Sequence, residues 1–214
     1  MQAEEKEKRQ AIIDLCVKMN ASGLNQGTSG NVSLRHGGGL LITPSGRPYE
    51  TLTPEDIVYL GMDGTAQGRW KPSSEWRFHR DILAAKPEAG AVLHAHPPHC
   101  TALAIMERSI PPVHYMVAVF GGEDVRCAPY ALFGTQELSD HALAALEGRS
   151  GCLLAHHGMI VAGRDLEHAW WLAQELEALA GQYLRCLPMG EPPRLSAAQI
   201  DEALARIAGY GLAD

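Results

Sequence analysis

The sequence predicts an α/β protein in which helices cover a central, mainly antiparallel sheet. Three observations point there. Short apolar runs bounded by glycine, proline or Asp-Gly recur along the chain, as strands require. Longer segments with apolar residues at three- and four-residue spacing stand among them, as amphipathic helices require. The two kinds do not alternate with the regularity of a parallel barrel. A chain of 214 residues, 46% hydrophobic and 20% charged, supports one substantial core. With no repeat, linker or low-complexity stretch, residues 1–214 are expected to form one domain.

Residues 4–22 read as a helix, with Ile12, Leu15, Cys16 and Met19 at helical spacing and Gly23 at the cap. Segments 31–35 and 40–43 are strands joined by His36-Gly37-Gly38-Gly39, a hairpin signal, and 57–62 is a further strand ending at Asp63-Gly64. Ser73 or Ser74 then caps a helix that Pro87 stops. A strand at 91–96 leads through Pro97-Pro98 into a helix past Ala102, Leu103 and Met106, and 113–119 is strand-like. Thr135 caps a helix through Ala142 and Leu146, and strands at 152–155 and 159–162 flank His157. Asp165 opens a long helix with Trp171, Leu172, Leu176 and Leu179 along one side, and Ser196 with Gln199 forms a capping box for the last.

The formal charge of -7 gives a nucleic-acid partner no electrostatic support. Cys16, Cys100, Cys127, Cys152 and Cys186 are scattered, odd in number and free of any C-x-x-C, as expected for reduced thiols in a cytoplasmic protein. The charged start Met1-Gln2-Ala3-Glu4-Glu5-Lys6 argues against a secretory signal, and no apolar run approaches membrane-spanning length.

His94 and His96 end an apolar strand two residues apart, so their imidazoles share one face. His157 ends another apolar run at a glycine turn, and Glu75 follows Ser73-Ser74. Any one of these histidines is ordinarily a hydrogen-bonded core residue; as a set, three His and one Glu fit tetrahedral Zn2+. Gln26-Gly27-Thr28-Ser29-Gly30-Asn31, Thr43-Pro44-Ser45-Gly46 and Ser73-Ser74 offer turn amides and short hydroxyls, which suit phosphate. Each is also ordinary turn or cap chemistry. Lys6, Lys8, Lys18, Lys71 and Lys86 all lie outside the apolar strands, where a Schiff-base lysine would be desolvated. His36, His79, His99, His141 and His168 read as surface residues or residues behind a site. His156, if the strand continues, faces away from His157.

Gly23-Leu24-Asn25-Gln26-Gly27-Thr28-Ser29-Gly30-Asn31-Val32-Ser33, Pro72-Ser73-Ser74-Glu75-Trp76-Arg77-Phe78-His79, His94-Ala95-His96 and His156-His157-Gly158 together resemble the zinc-dependent class II aldolase/adducin family. The resemblance continues through Ser109 to Met116 and Cys127 to Thr135 and reaches Tyr210-Gly211-Leu212. It implies a three-layer α/β/α sandwich, a four-fold homotetramer with sites between subunits, and one Zn2+ on Glu75, His94, His96 and His157. Gly30, Asn31, Ser45, Gly46, Ser73 and Ser74 would hold a phosphate. The implied reaction is reversible cleavage of L-fuculose 1-phosphate, or a related ketose 1-phosphate, to dihydroxyacetone phosphate and L-lactaldehyde. Glu75 would shuttle the proton. Tyr115 and Tyr210 from a neighbouring subunit would serve the aldehyde end, Tyr115 as proton donor, with Phe133 adding apolar surface. Ser45 stands where the family often has threonine, which keeps the hydroxyl. The family also holds sugar-phosphate 4-epimerases, dehydratases and the non-catalytic adducin head. Glu75, where an epimerase is expected to carry Asp, and the complete ligand set favour the aldolase.

Overall fold

The computed structural model describes residues 2–208. Helix α1 (Ala3–Ala21) is followed by Gly23 in the left-handed region, φ +77°, which glycine adopts without a Cβ clash. β1 (Asn31–His36) and β2 (Gly39–Ile42) form the expected hairpin, extended by β3 (Val58–Gly61) and β4 (Ala66–Gln67). Then come α2 (Trp76–Ala85), β5 (Ala91–Ala95), α3 (Pro98–Ile105), β6 (Cys127–Ala128) and α4 (Gln136–Ala145). The hairpin β7 (Gly151–Leu154) and β8 (Gly158–Gly163), α5 (Leu166–Cys186) and α6 (Ala197–Ala208) complete the described chain.

The strands make one sheet in the order β4-β3-β2-β1-β5-β8-β7-β6. Strand alternation sorts its apolar residues to two faces. Val32, Leu93 and Val161 join Ile12, Cys16, Leu103, Leu172 and Leu176 under α1, α3 and α5. Leu40, Ile42, Val92 and Ile160 join Phe78, Ile82, Leu138 and Ala142 under α2 and α4. The three-layer α/β/α sandwich is therefore as expected, with a sheet that is mainly antiparallel but mixed: β6 pairs with β7 in parallel.

Several local expectations need correction. Residues 113–119 do not form a strand; Tyr115–Phe120 is a 3-10 helix whose start is capped by His114 Nδ1 accepting from Met116 N–H. The residue at the start of α2 is Glu75 rather than a serine, and Ser73 Oγ accepts from the Glu75 N–H. On α5 the buried indole is Trp170, while Trp171 is partly exposed and stacks on His168. His156 lies on the β7–β8 turn at φ +55°, exposed, with Nε2 3.0 Å from Glu107 Oε1; it does not continue a strand. The capping box of Ser196 and Gln199 is present. All five cysteines are free, three of them buried. Among the described residues no helix is long and apolar enough to cross a membrane.

Candidate metal centre

β5 runs antiparallel to β1 on one side and β8 on the other, so Asn31 pairs with His94 and Ala95 with Met159 at one end of the sheet. His94 and His96 project to the α2 side, and the short β7–β8 turn delivers His157 beside them. The three ring centroids form a triangle of 4.8 Å sides, and their ligating nitrogens lie within 4.8 Å of one another. The turn can come this close because β8 opens on glycine. A Cβ on Gly158 would stand 2.5 Å from the Ala95 carbonyl oxygen and 2.7 Å from His96 Cδ2.

Glu75 closes the group from the start of α2, with Oε2 3.2 Å from His94 Nε2 and Oε1 3.4 Å from His157 Nε2. His94 Nδ1 lies 2.8 Å from the Met159 carbonyl, which can only accept, so a ring proton sits on Nδ1 and Nε2 is the nitrogen turned to the carboxylate. Burial opposes ionisation of Glu75, yet His94 and His157 and the Asn31 amide outweigh it and bring the carboxyl down to about 2. Burial, followed by the charge of His94, pushes His96 down to about 3 and His157 to about 4. At neutral pH the Glu75 carboxylate thus stands beside deprotonated His96 and His157, the protonation state that metal ions bind.

The fit can be judged from one atom. Glu75 Oε1 is buried and receives no hydrogen bond among the described residues. An anionic oxygen in that state is costly unless a cation neutralises it. Three nitrogens and one oxygen donor suit a divalent first-row metal, with a labile carboxylate able to open a position for substrate. The residues therefore fit the expected ion.

Around this centre is a pocket of about 440 Å³. Thr28, Ser29, Ser45, Gly46 and Ser74 contribute hydroxyls and turn backbone to its lining, and Tyr130, Ala131 and Phe133 contribute apolar surface. The polar loops are tied together: Ser45 N–H donates to the Lys71 carbonyl and Ser73 N–H to the Thr43 carbonyl, a bridge that brackets Pro44 and Pro72. Gly134, at φ +75°, packs where a Cβ would be 2.7 Å from the Ser74 carbonyl, and Arg77 donates to the Gly134 carbonyl. This pins the aromatic segment to the serine loop.

Of the residues expected to hold phosphate, Ser45, Gly46 and Ser74 line the pocket, whereas Gly30, Asn31 and Ser73 are buried behind it. Asn31 donates to Glu75 Oε2 at 3.0 Å. Phe133 lines the pocket and is 60% exposed. Tyr115 does not: it lines a separate cleft with Met116, Val119 and Trp171. Tyr210 lies outside the described residues. Thr28-Ser29 belongs to a loop expected to suit phosphate, whereas Tyr130-Ala131 carries no expected role of its own. His79, expected at the surface or behind a site, is fully buried on α2.

Residues 10–184 match the family described as Class II Aldolase and Adducin N-terminal domain. A 5-methylthioribulose-1-phosphate/5-deoxyribulose-1-phosphate aldolase of Rhodospirillum rubrum is 54% identical over 95% of this chain and 92% of its own. An L-fuculose phosphate aldolase of Escherichia coli K12 is 50% identical over 94% of each. Among solved structures, an L-fuculose 1-phosphate aldolase superposes with a TM-score of 0.91 at 34% identity, covering 94% of this chain and 96% of that one. The geometry, the family match and these relatives agree, and the chain belongs to the class II aldolase and adducin family.

Proposed function

We propose that this class II aldolase is a zinc enzyme that cleaves a ketose 1-phosphate with a deoxygenated far end to dihydroxyacetone phosphate and a short aldehyde. The observation that carries this reading is one pocket that combines a four-donor metal centre, hydroxyl-bearing loops and the apolar Tyr130, Ala131 and Phe133. The names of the relatives support it. L-Fuculose, 5-deoxyribulose and 5-methylthioribulose phosphates share the phosphorylated ketone end and differ in an apolar tail.

Zn2+ held by Glu75, His94, His96 and His157 would supply Lewis acidity at the substrate's carbonyl. The residues do the rest. Gly30, Asn31, Ser45, Gly46, Ser73 and Ser74 hold the phosphate, a role supported by Ser45, Gly46 and Ser74 on the pocket wall and the other three directly behind it. In cleavage the C4 hydroxyl gives up its proton, the C3–C4 bond breaks with its electron pair left at C3, and Glu75 delivers a proton there. Synthesis begins with Glu75 removing that proton. Its neighbours hold Glu75 at about 2, so it becomes an effective base once substrate moves it away from His94 and His157. Tyr115 exchanges the proton at the aldehyde oxygen. It lines a different cleft from its own chain's centre, which supports a role for Tyr115, and for Tyr210, at the aldehyde end of a neighbouring copy's pocket. The half-exposed Tyr115 and the exposed Trp171 and Leu204 support assembly into a homotetramer. Five free thiols support a reducing, cytoplasmic setting.

The test is a kinetic panel of L-fuculose 1-phosphate, 5-deoxyribulose 1-phosphate, 5-methylthioribulose 1-phosphate and D-fructose 1-phosphate. The deoxy substrates should exceed fructose 1-phosphate in kcat/KM by about 10- to 200-fold, the range a small apolar pocket achieves. Chelation should abolish cleavage and zinc restore it. Borohydride trapping of substrate on a lysine, or an epimer formed without dihydroxyacetone phosphate, would overturn the reading.

A further inference from the structure

A line of buried polar side chains runs beneath the metal centre. Asn31 and Ser33, two apart on β1, face α2, where His79 is 0% exposed beside the apolar Phe78, Ile82 and Leu83. A phenylalanine or leucine would fill such a position without desolvation cost, so an imidazole there calls for a reason.

The direction of the hydrogen bonds supplies one. An ionised carboxylate only accepts, so the Asn31 atom that faces Glu75 Oε2 at 3.0 Å is Nδ2. Asn31 Oδ1 is then turned to His79 Nε2 at 2.5 Å, and that nitrogen carries the proton. A neutral ring has one proton, so His79 Nδ1 is bare and accepts from the Ser33 hydroxyl at 2.8 Å. Burial keeps the ring neutral, down to about 3, and the charge of His94 adds to the effect. Every donor thus points the same way, from Ser33 to His79 to Asn31 to Glu75, and the chain ends on one oxygen of the carboxylate. Without the His79 N–H, Asn31 Oδ1 loses that donor and the amide is held from its Glu75 end alone.

We propose that His79 is a positioning residue for the reaction: through Asn31 it fixes Oε2 of Glu75 and leaves Oε1 as the oxygen that meets the metal or the substrate's proton. The inference rests on the aldolase reading above, in which Glu75 acts at C3. It says that the turnover of Glu75 depends on a side chain touching neither metal nor substrate.

The experiment uses the zinc-loaded protein with deuterium exchange into dihydroxyacetone phosphate, zinc content and thermal midpoint measured together. His79→Phe should keep its zinc and its KM within about two-fold while kcat for exchange falls about 10- to 100-fold, the usual effect of losing a supporting hydrogen bond at a metal site. His79→Gln, whose amide can still donate to Asn31, should recover most of that rate. A plain filling role would leave the Phe variant active, and either near-normal exchange in it or equal losses in both variants overturns the proposal. Ring 15N shifts of the wild-type zinc protein give a readout independent of folding in the variants. A neutral, Nε2-protonated His79 is expected, and a ring protonated on Nδ1, or on both nitrogens at neutral pH, reverses or breaks the chain and overturns it. Should the wild type itself exchange no deuterium, the aldolase reading fails instead, and the ring shifts still decide the direction of the hydrogen bonds.

Discussion

Gly158→Ala should damage the metal centre by a route that involves no ligand directly. The new Cβ would lie 2.7 Å from His96 Cδ2 and 2.5 Å from the Ala95 carbonyl oxygen. The carbonyl belongs to the β5–β8 ladder, where Ala95 pairs with Met159, so the backbone gives little. Relief to an ordinary carbon–carbon contact of about 3.5 Å therefore asks the His96 ring to retreat by about 0.8 Å. Metal–ligand distances tolerate only about 0.2 Å. Zinc affinity should fall about 10- to 100-fold, which is about 1.4–2.8 kcal/mol. The overpacking itself should destabilise the metal-free protein by about 1–3 kcal/mol. Chelator competition measures the first and urea unfolding of the metal-free protein the second. Gly38→Ala serves as control, since nothing lies within 4 Å of its added Cβ. Wild-type zinc affinity in Gly158→Ala, with Gly38→Ala unchanged, would refute the claim that this glycine lets the β7–β8 turn meet His96.

Glu75→Gln should retain zinc through the three histidines while proton exchange at C3 of dihydroxyacetone phosphate, followed by mass spectrometry, falls about 10²–10⁴-fold. Tyr115→Phe should slow cleavage of the full ketose phosphate and spare that exchange. Mixing Glu75→Gln with Tyr115→Phe subunits after dissociation should regain part of the cleavage activity, because some pockets then draw an intact residue from each chain. Asp56→Asn addresses acid stability. Burial opposes ionisation of Asp56, but the Thr53 N–H at 2.9 Å, the Trp70 indole N–H at 2.7 Å and the Thr53 hydroxyl outweigh it and lower its pKa. A carboxyl lowered in the folded state stabilises above its unfolded value of about 3.9 and loses that stabilisation as pH falls through the folded value. The urea midpoint of Asp56→Asn should therefore lie below wild type at pH 7 and converge with it toward pH 3.

Much of the fold was legible because its elements announce themselves locally. The Asp165 cap accepts from His168 N–H and the Thr135 cap from Leu138 N–H, and both precede helices whose apolar spacing is strong. The β1–β2 hairpin follows from Gly37-Gly38 between apolar runs. Residues 113–119 misled because valines at alternating positions imitate a strand. Within Tyr115–Phe120 the fold instead buries Val117, Ala118 and Phe120, an arrangement set by packing against α5 and α6. The parallel β6–β7 pair carries no local signal, since two residues of β6 are held by neighbours far along the chain.

The same division runs through the site. His94 and His96 were readable because a two-residue period on a strand leaves only one geometry, and His157 because a glycine turn follows an apolar run. The alternation rule failed for His156 since the strand stops at Leu154 and the turn places it in the left-handed region. The phosphate loop divided in a way its sequence does not encode. Gly30 is buried because a Cβ there would meet Asn25 Oδ1 and the His94 carbonyl, both at 2.8 Å, and its own carbonyl accepts from Tyr49 Oη–H. Thr28 and Ser29, one turn earlier, are left to face the pocket. His79 is the sharpest case. In the sequence it reads as a surface residue or one behind a site, and only the arrival of β1 turns it toward Asn31 and Ser33. The gathering of candidate ligands is therefore a property of short motifs, whereas the orientation of Glu75 belongs to the meeting of β1 with α2.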